Sequence, residues 1–165
     1  MIELIRKIYL IGYIVSNLFA VALLIIAWKR PIMARLIFSI IFLGACATNW
    51  TIAVNRPEAY LDFGDMTIFS WYREFIAGWF SEHILLTVGL IASVQGIIGI
   101  SLLLNGWIYK ISVVGGILFL LAIIPLVITS AFPGSIIMTI AMMMIFNKGH
   151  NLILEHSRFK KNSIS

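Results

Sequence analysis

Charge is the scarcest property of this sequence. Of 165 residues only 12 are lysine or arginine and 7 aspartate or glutamate, so charged side chains make up 12% of the chain, against about a quarter in an ordinary soluble domain. Cysteine occurs once, as Cys46. That excludes an internal disulfide, a CxxC redox pair and any metal site built on clustered cysteines. The histidines are His83, His150 and His156, none of them inside an apolar run, so neither a haem held between helices nor another metal site is expected. No repeat, low-complexity tract or linker divides the chain, and its length allows one domain, residues 1–165.

What is abundant is apolar surface. Hydrophobic residues make up 61% of the chain and the mean hydropathy is +1.03, which indicates an all-α integral membrane protein. A hydrocarbon core of roughly 30 Å needs about 20 helical residues. Residues 8–28, 36–54 and 84–104 each meet this. The run from Ile111 to Asn147 holds no charge and would make a helix of roughly 55 Å, so it must fold back. Ser130-Ala131-Phe132-Pro133-Gly134 is the break, since serine caps a helix and proline suits its first turn. Five spans follow, the last two over 111–129 and 131–147, with Pro125 expected to kink the fourth.

Basic residues set the expected orientation. Lys29, Arg30, Arg35, Lys110, Lys148, Arg158, Lys160 and Lys161 fall on one side of a five-span chain; Arg6, Lys7, Arg56 and Arg73 fall on the other. This predicts a multi-pass protein of the cell membrane with its N-terminus outside and a basic cytoplasmic tail, 148–165, beside anionic lipid. The first span is expected to be a retained anchor rather than a cleaved signal peptide.

The polar residues concentrate between spans two and three. Glu58, Asp62, Asp65, Glu74 and Glu82 all lie in the outer segment 55–82. Asn55-Arg56-Pro57-Glu58 reads as a helix start and Gly64 as its stop. From Ile68 on, Ile68, Phe69, Tyr72, Phe75, Ile76, Trp79 and Phe80 follow a helical period opposite Ser70, Arg73, Glu74, Ala77, Gly78 and Ser81, which predicts an amphipathic helix along the membrane surface. Its Trp71, Tyr72 and Trp79 are of the types that anchor at headgroup depth.

Candidate functional residues are few, and each has a structural alternative. Asp62, Asp65, Trp71, Arg73 and Glu74 could serve acid–base work or hold a polar headgroup, or form a solvated loop of weak surface pairs. Glu82 and His83 could pass a proton, or be a solvated helix end. Gln95, near the middle of span three, could hold a ligand carbonyl, or bond to a neighbouring helix through Asn17 or Asn49. Gly89, Ser93 and Gly96 form a small-residue stripe suited to close helix packing. No span carries a charge, which weighs against proton relays and coupled transport.

Two stretches carry a family resemblance. Asn55-Arg56-Pro57-Glu58-Ala59-Tyr60-Leu61-Asp62-Phe63 and Gln95-Gly96-Ile97-Ile98-Gly99-Ile100-Ser101-Leu102-Leu103-Leu104, with the Ser130–Pro133 hairpin, make residues 31–146 resemble the DoxX-like superfamily of small membrane proteins, with one helix added in front. The resemblance implies a four-helix core with a large outer loop between its first two helices. It implies a membrane subunit or quinone-facing partner of a redox or envelope-stress system, with a bound quinone, no intrinsic cofactor and no nucleic acid. Gln95 stands where relatives often carry an acid. On this reading the polar head of a quinone or similar molecule sits near Tyr60, Asp62, Trp71, Arg73 and His83. A lipid carrier and a scaffold for a partner protein are the other classes open at this point.

Overall fold

A computed structural model describes residues 2–67, 69–124 and 132–148; within these, the side chains of 2–6, 8, 9, 65, 66 and 147 lie outside the description. The described residues are predominantly helical, and among them there is no strand. Helix α1 runs over Ile2–Lys29 and α2 over Pro31–Asn55. They are separated by Arg30 alone, with Pro31 in the first turn of α2, where its missing N–H is not needed. A cap of short pieces follows: a 3-10 turn over Pro57–Tyr60, α3 over Asp62–Met66, α4 over Ser70–Phe75 and a π turn over Ile76–Phe80. Then come α5 over Ile84–Ser101, α6 over Trp107–Ala122 and α7 over Gly134–Lys148.

Helices α2, α5, α6 and α7 pack in a ring, each against the next and α7 back against α2, while α1 lies against α7 and α2. Small residues set how closely they approach. A Cβ added at Gly89 would come within 2.9 Å of the Trp50 ring, at Gly96 within 3.0 Å of Cys46 Sγ, and at Gly99 within 2.8 Å of Leu43. The stripe of α5 is therefore packed on α2, as the structural alternative expects. Leu23, Phe38, Leu102, Tyr109, Met142 and Ile145 fill the centre of the bundle.

The outside is as apolar as the inside. Leu18, Ile40, Leu90, Ile97 and Leu118 are each at least 60% exposed, and helices apolar on every side suit a lipid solvent rather than water. Three helices, Leu10–Lys29, Pro31–Asn55 and Ile84–Ser101, are long and apolar enough to cross a membrane, while α6 and α7 are shorter apolar helices.

Several boundaries differ from expectation. The third apolar helix ends at Ser101 rather than residue 104, and α6 begins at Trp107, four residues early. Gly106, at φ +71°, lets the chain reverse there where a side chain would be strained. Gly64 lies inside α3 rather than ending a helix, its Cα against Ile76 Cγ2, 3.3 Å from where a Cβ would sit. The expected helix start at Arg56-Pro57 is a 3-10 turn. Ile68, Pro125, Ser130, Ala131, His150, His156 and the basic tail 149–165 lie outside the described residues.

The amphipathic helix is also not continuous. Gly78 leaves helical geometry at φ −94°, ψ −114°, at a residue with poor helix propensity. The aromatic face is also divided in two. Tyr72, Ile76, Phe80 and Ile84 turn inward onto Ala53 and Val88, while Trp71, Phe75 and Trp79 stay exposed.

Candidate functional site

The cap roofs a cavity of about 230 Å³. Asn49 on α2, Thr87, Val88 and Ile91 on α5, and Phe119 and Ile123 on α6 form its walls; Tyr60, Phe63, Tyr72, Phe75, Ile76 and Phe80 of the cap close it. Its polar end is a short relay. Tyr60 OH donates to Asn49 Oδ1 at 3.0 Å, and Asn49 Nδ2 donates to Gln95 Oε1 at 2.8 Å. Gln95 is 2% exposed, and a buried amide needs such a partner. Of the two candidate partners for Gln95, Asn49 is the one that bonds to it, while Asn17 donates within its own helix to Tyr13 O at 2.9 Å. Burial pushes the Tyr60 and Tyr72 phenols above their ordinary value, so both remain protonated donors at neutral pH.

The other candidates are not gathered at this cavity. Arg73 donates to Gly64 O at 3.2 Å and Thr67 O at 3.3 Å, so its guanidinium ties α4 to the end of α3. Asp62 and Glu74 are exposed, and the side chain of Asp65 lies outside the described residues. Trp71 is 60% exposed and packs on Tyr72 with centroids 4.7 Å apart. His83 stands on another face. Its ring stacks on Trp79 at 4.5 Å and 9°, and its Nδ1 lies 2.9 Å from Trp79 O. Of the constellation expected from the sequence, Tyr60 alone lines this cavity; His83 lines a separate groove on the side of α5, and Asp62, Trp71, Arg73 and Glu74 line neither.

Sequence reasoning missed a second polar centre at the opposite end. Arg35 lies inside α2 and is fully buried. Its guanidinium donates to the carbonyls of Leu102 and Leu104 and stands 4.1 Å from the centroid of the Tyr109 ring. Tyr109 OH in turn donates to Ile145 O at 2.6 Å. The only signal was position, since Arg35 stands one residue before the expected second span. The carbonyls just beyond the C-terminus of α5 and the tyrosine face supply the negative potential a buried cation needs. No cluster suited to a metal ion occurs among the described residues.

Comparison with protein-family models, with curated proteins and with solved structures finds no match to this chain.

Proposed function

We propose that the chain is a five-span, DoxX-like protein of the cell membrane that holds a lipidic molecule with a small hydrogen-bonding ring, of the isoprenoid quinone class, under its cap. It serves as the membrane subunit or quinone-facing partner of a redox or envelope-stress system. The observation that carries this reading is the cavity itself: apolar and aromatic walls that end at Tyr60 and Asn49, with Gln95 holding Asn49 from behind. The second N–H of the Asn49 amide is the donor left to meet a ring carbonyl, and Tyr60 OH holds that amide in place. The cavity is smaller than the roughly 300–1,000 Å³ of sites that enclose a whole drug-sized ligand. It suits a ring whose tail leaves between the helices into lipid.

The four-helix ring, with the cap between its first two members and α1 outside it, supports the family reading. The eight-to-four division of basic residues supports a cap outside the cell. Mass spectrometry of gently purified protein tests the ligand. About one quinone per chain is expected, whereas an ordinary membrane lipid in the cavity would make the protein a carrier instead. Cysteines at Ser81, Arg30 and Asn105, in a Cys46→Ala background, test the topology: an impermeant reagent should reach only Ser81 in intact cells.

A further inference from the structure

On the lateral face of α5 lies a second opening, unconnected with the proposed quinone site. It is a groove of about 600 Å³ lined by Trp50, Glu82, His83, Leu86, Leu90 and Ser93. From His83 to Ser93 it follows ten residues of α5, roughly 15 Å of helix, which is about one leaflet of a bilayer's hydrocarbon. Gly89 lies within this stretch, and its missing side chain lets Trp50 lie against the helix as one wall. Leu86 and Leu90 are 57% and 60% exposed, so the groove opens sideways, where a chain lying in lipid would enter.

The mouth is chemically different from the groove. Because a carbonyl oxygen can only accept, the bond to Trp79 O places the proton of a neutral His83 on Nδ1. Nε2 is then an acceptor, and it has no protein partner among the described residues. Beside it Glu82 offers a carboxylate, also without a hydrogen-bond partner among the described residues. Two acceptors, one of them charged, at the head of a leaflet-deep apolar groove match a primary ammonium carried on an acyl chain. They disfavour a headgroup with net negative charge, and they offer a quaternary ammonium no N–H bond to accept.

We infer that this groove is a binding site for a phospholipid of the ethanolamine type, its ammonium at Glu82 and His83 and one acyl chain along Leu86 and Leu90. The inference rests on the membrane-spanning reading above but not on the quinone cavity.

The test is native mass spectrometry of the full chain in mild detergent, incubated with equal amounts of phosphatidylethanolamine, phosphatidylcholine and phosphatidylglycerol of identical chains. The wild type should retain phosphatidylethanolamine over each of the others by roughly tenfold, the scale of one charge-assisted hydrogen bond. Glu82→Gln should bring phosphatidylethanolamine close to phosphatidylcholine, and Glu82→Lys should favour phosphatidylglycerol. Ser93→Phe, which plugs the foot of the groove, should lower retention of all three at an unchanged melting temperature. Phosphatidylglycerol bound as well as phosphatidylethanolamine by the wild type, or a preference unchanged in Glu82→Lys, would overturn the site. Quinone occupancy is read in the same spectra, so loss of one ligand class is distinguishable from loss of the other.

Discussion

Asn49 donates its amide N–H to the carbonyl oxygen of Gln95 at 2.8 Å, joining α2 to α5 below the cap. The same Asn49 accepts from Tyr60. The bond is therefore both an interhelical tie and the means by which the cap is held over the cavity.

Gln95→Leu and Asn49→Leu should each lower stability by about 1 kcal/mol. The double variant should cost less than the two together, because each single change leaves the other amide unpaired. Chemical or thermal unfolding in one detergent measures this; strict additivity would mean that the two amides do not act as a pair.

Gly99→Ala should destabilise by about 1–3 kcal/mol. Its new Cβ would meet Leu43 Cγ at 2.8 Å and the Leu43 backbone nitrogen at 3.1 Å, and the backbone has little room to yield. Gly115→Ala, whose nearest contact is Ile98 Cδ1 at 3.5 Å, should be tolerated. Paired melting curves compare them directly.

Arg35→Met should cost on the order of 3 kcal/mol, since it strips the Leu102 and Leu104 carbonyls of their donor. Arg35→Lys should recover only part of this, because an ammonium lacks the planar fork. Equal melting temperatures for Arg35→Met and the wild type would refute the clamp.

Occupancy of the cavity should be flat between about pH 6 and 9. Tyr60 and Tyr72 are the titratable groups among its lining residues, and burial raises both above the ordinary phenol value of 10.0. For an acid raised on folding, the stabilising contribution is complete below the unfolded value and falls as pH rises through the folded one. Both occupancy and stability should therefore decline only above about pH 10. A break near pH 6.5 would implicate a histidine instead.

The apolar helices were legible from hydropathy because composition and length decide what a bilayer admits. Close packing at Gly89 and Gly96 was legible from their spacing with Ser93, but that α2 is the partner was not. The break at Gly78 was not, because the stripes 71, 75, 79 and 72, 76, 80 are both aromatic or apolar, and one broad face looks the same as two. Arg35 was hidden for a different reason. A cation beside a span reads as a headgroup contact, and the carbonyls and ring that receive it come from residues 67 to 74 positions away in sequence. Likewise Tyr60 and Gln95 were singled out separately, but only the fold shows Asn49 between them.

The roofed cavity is proposed to take the polar ring of a lipidic ligand at Asn49, with Tyr60 holding that amide in place. The most direct test is ligand occupancy, read by mass spectrometry, in the wild type, Tyr60→Phe and Ile91→Trp, each purified identically and matched for melting temperature. About one ring-headed ligand per wild-type chain is expected, several-fold less in Tyr60→Phe, and essentially none in Ile91→Trp, whose indole fills the cavity. Equal occupancy in all three would contradict it.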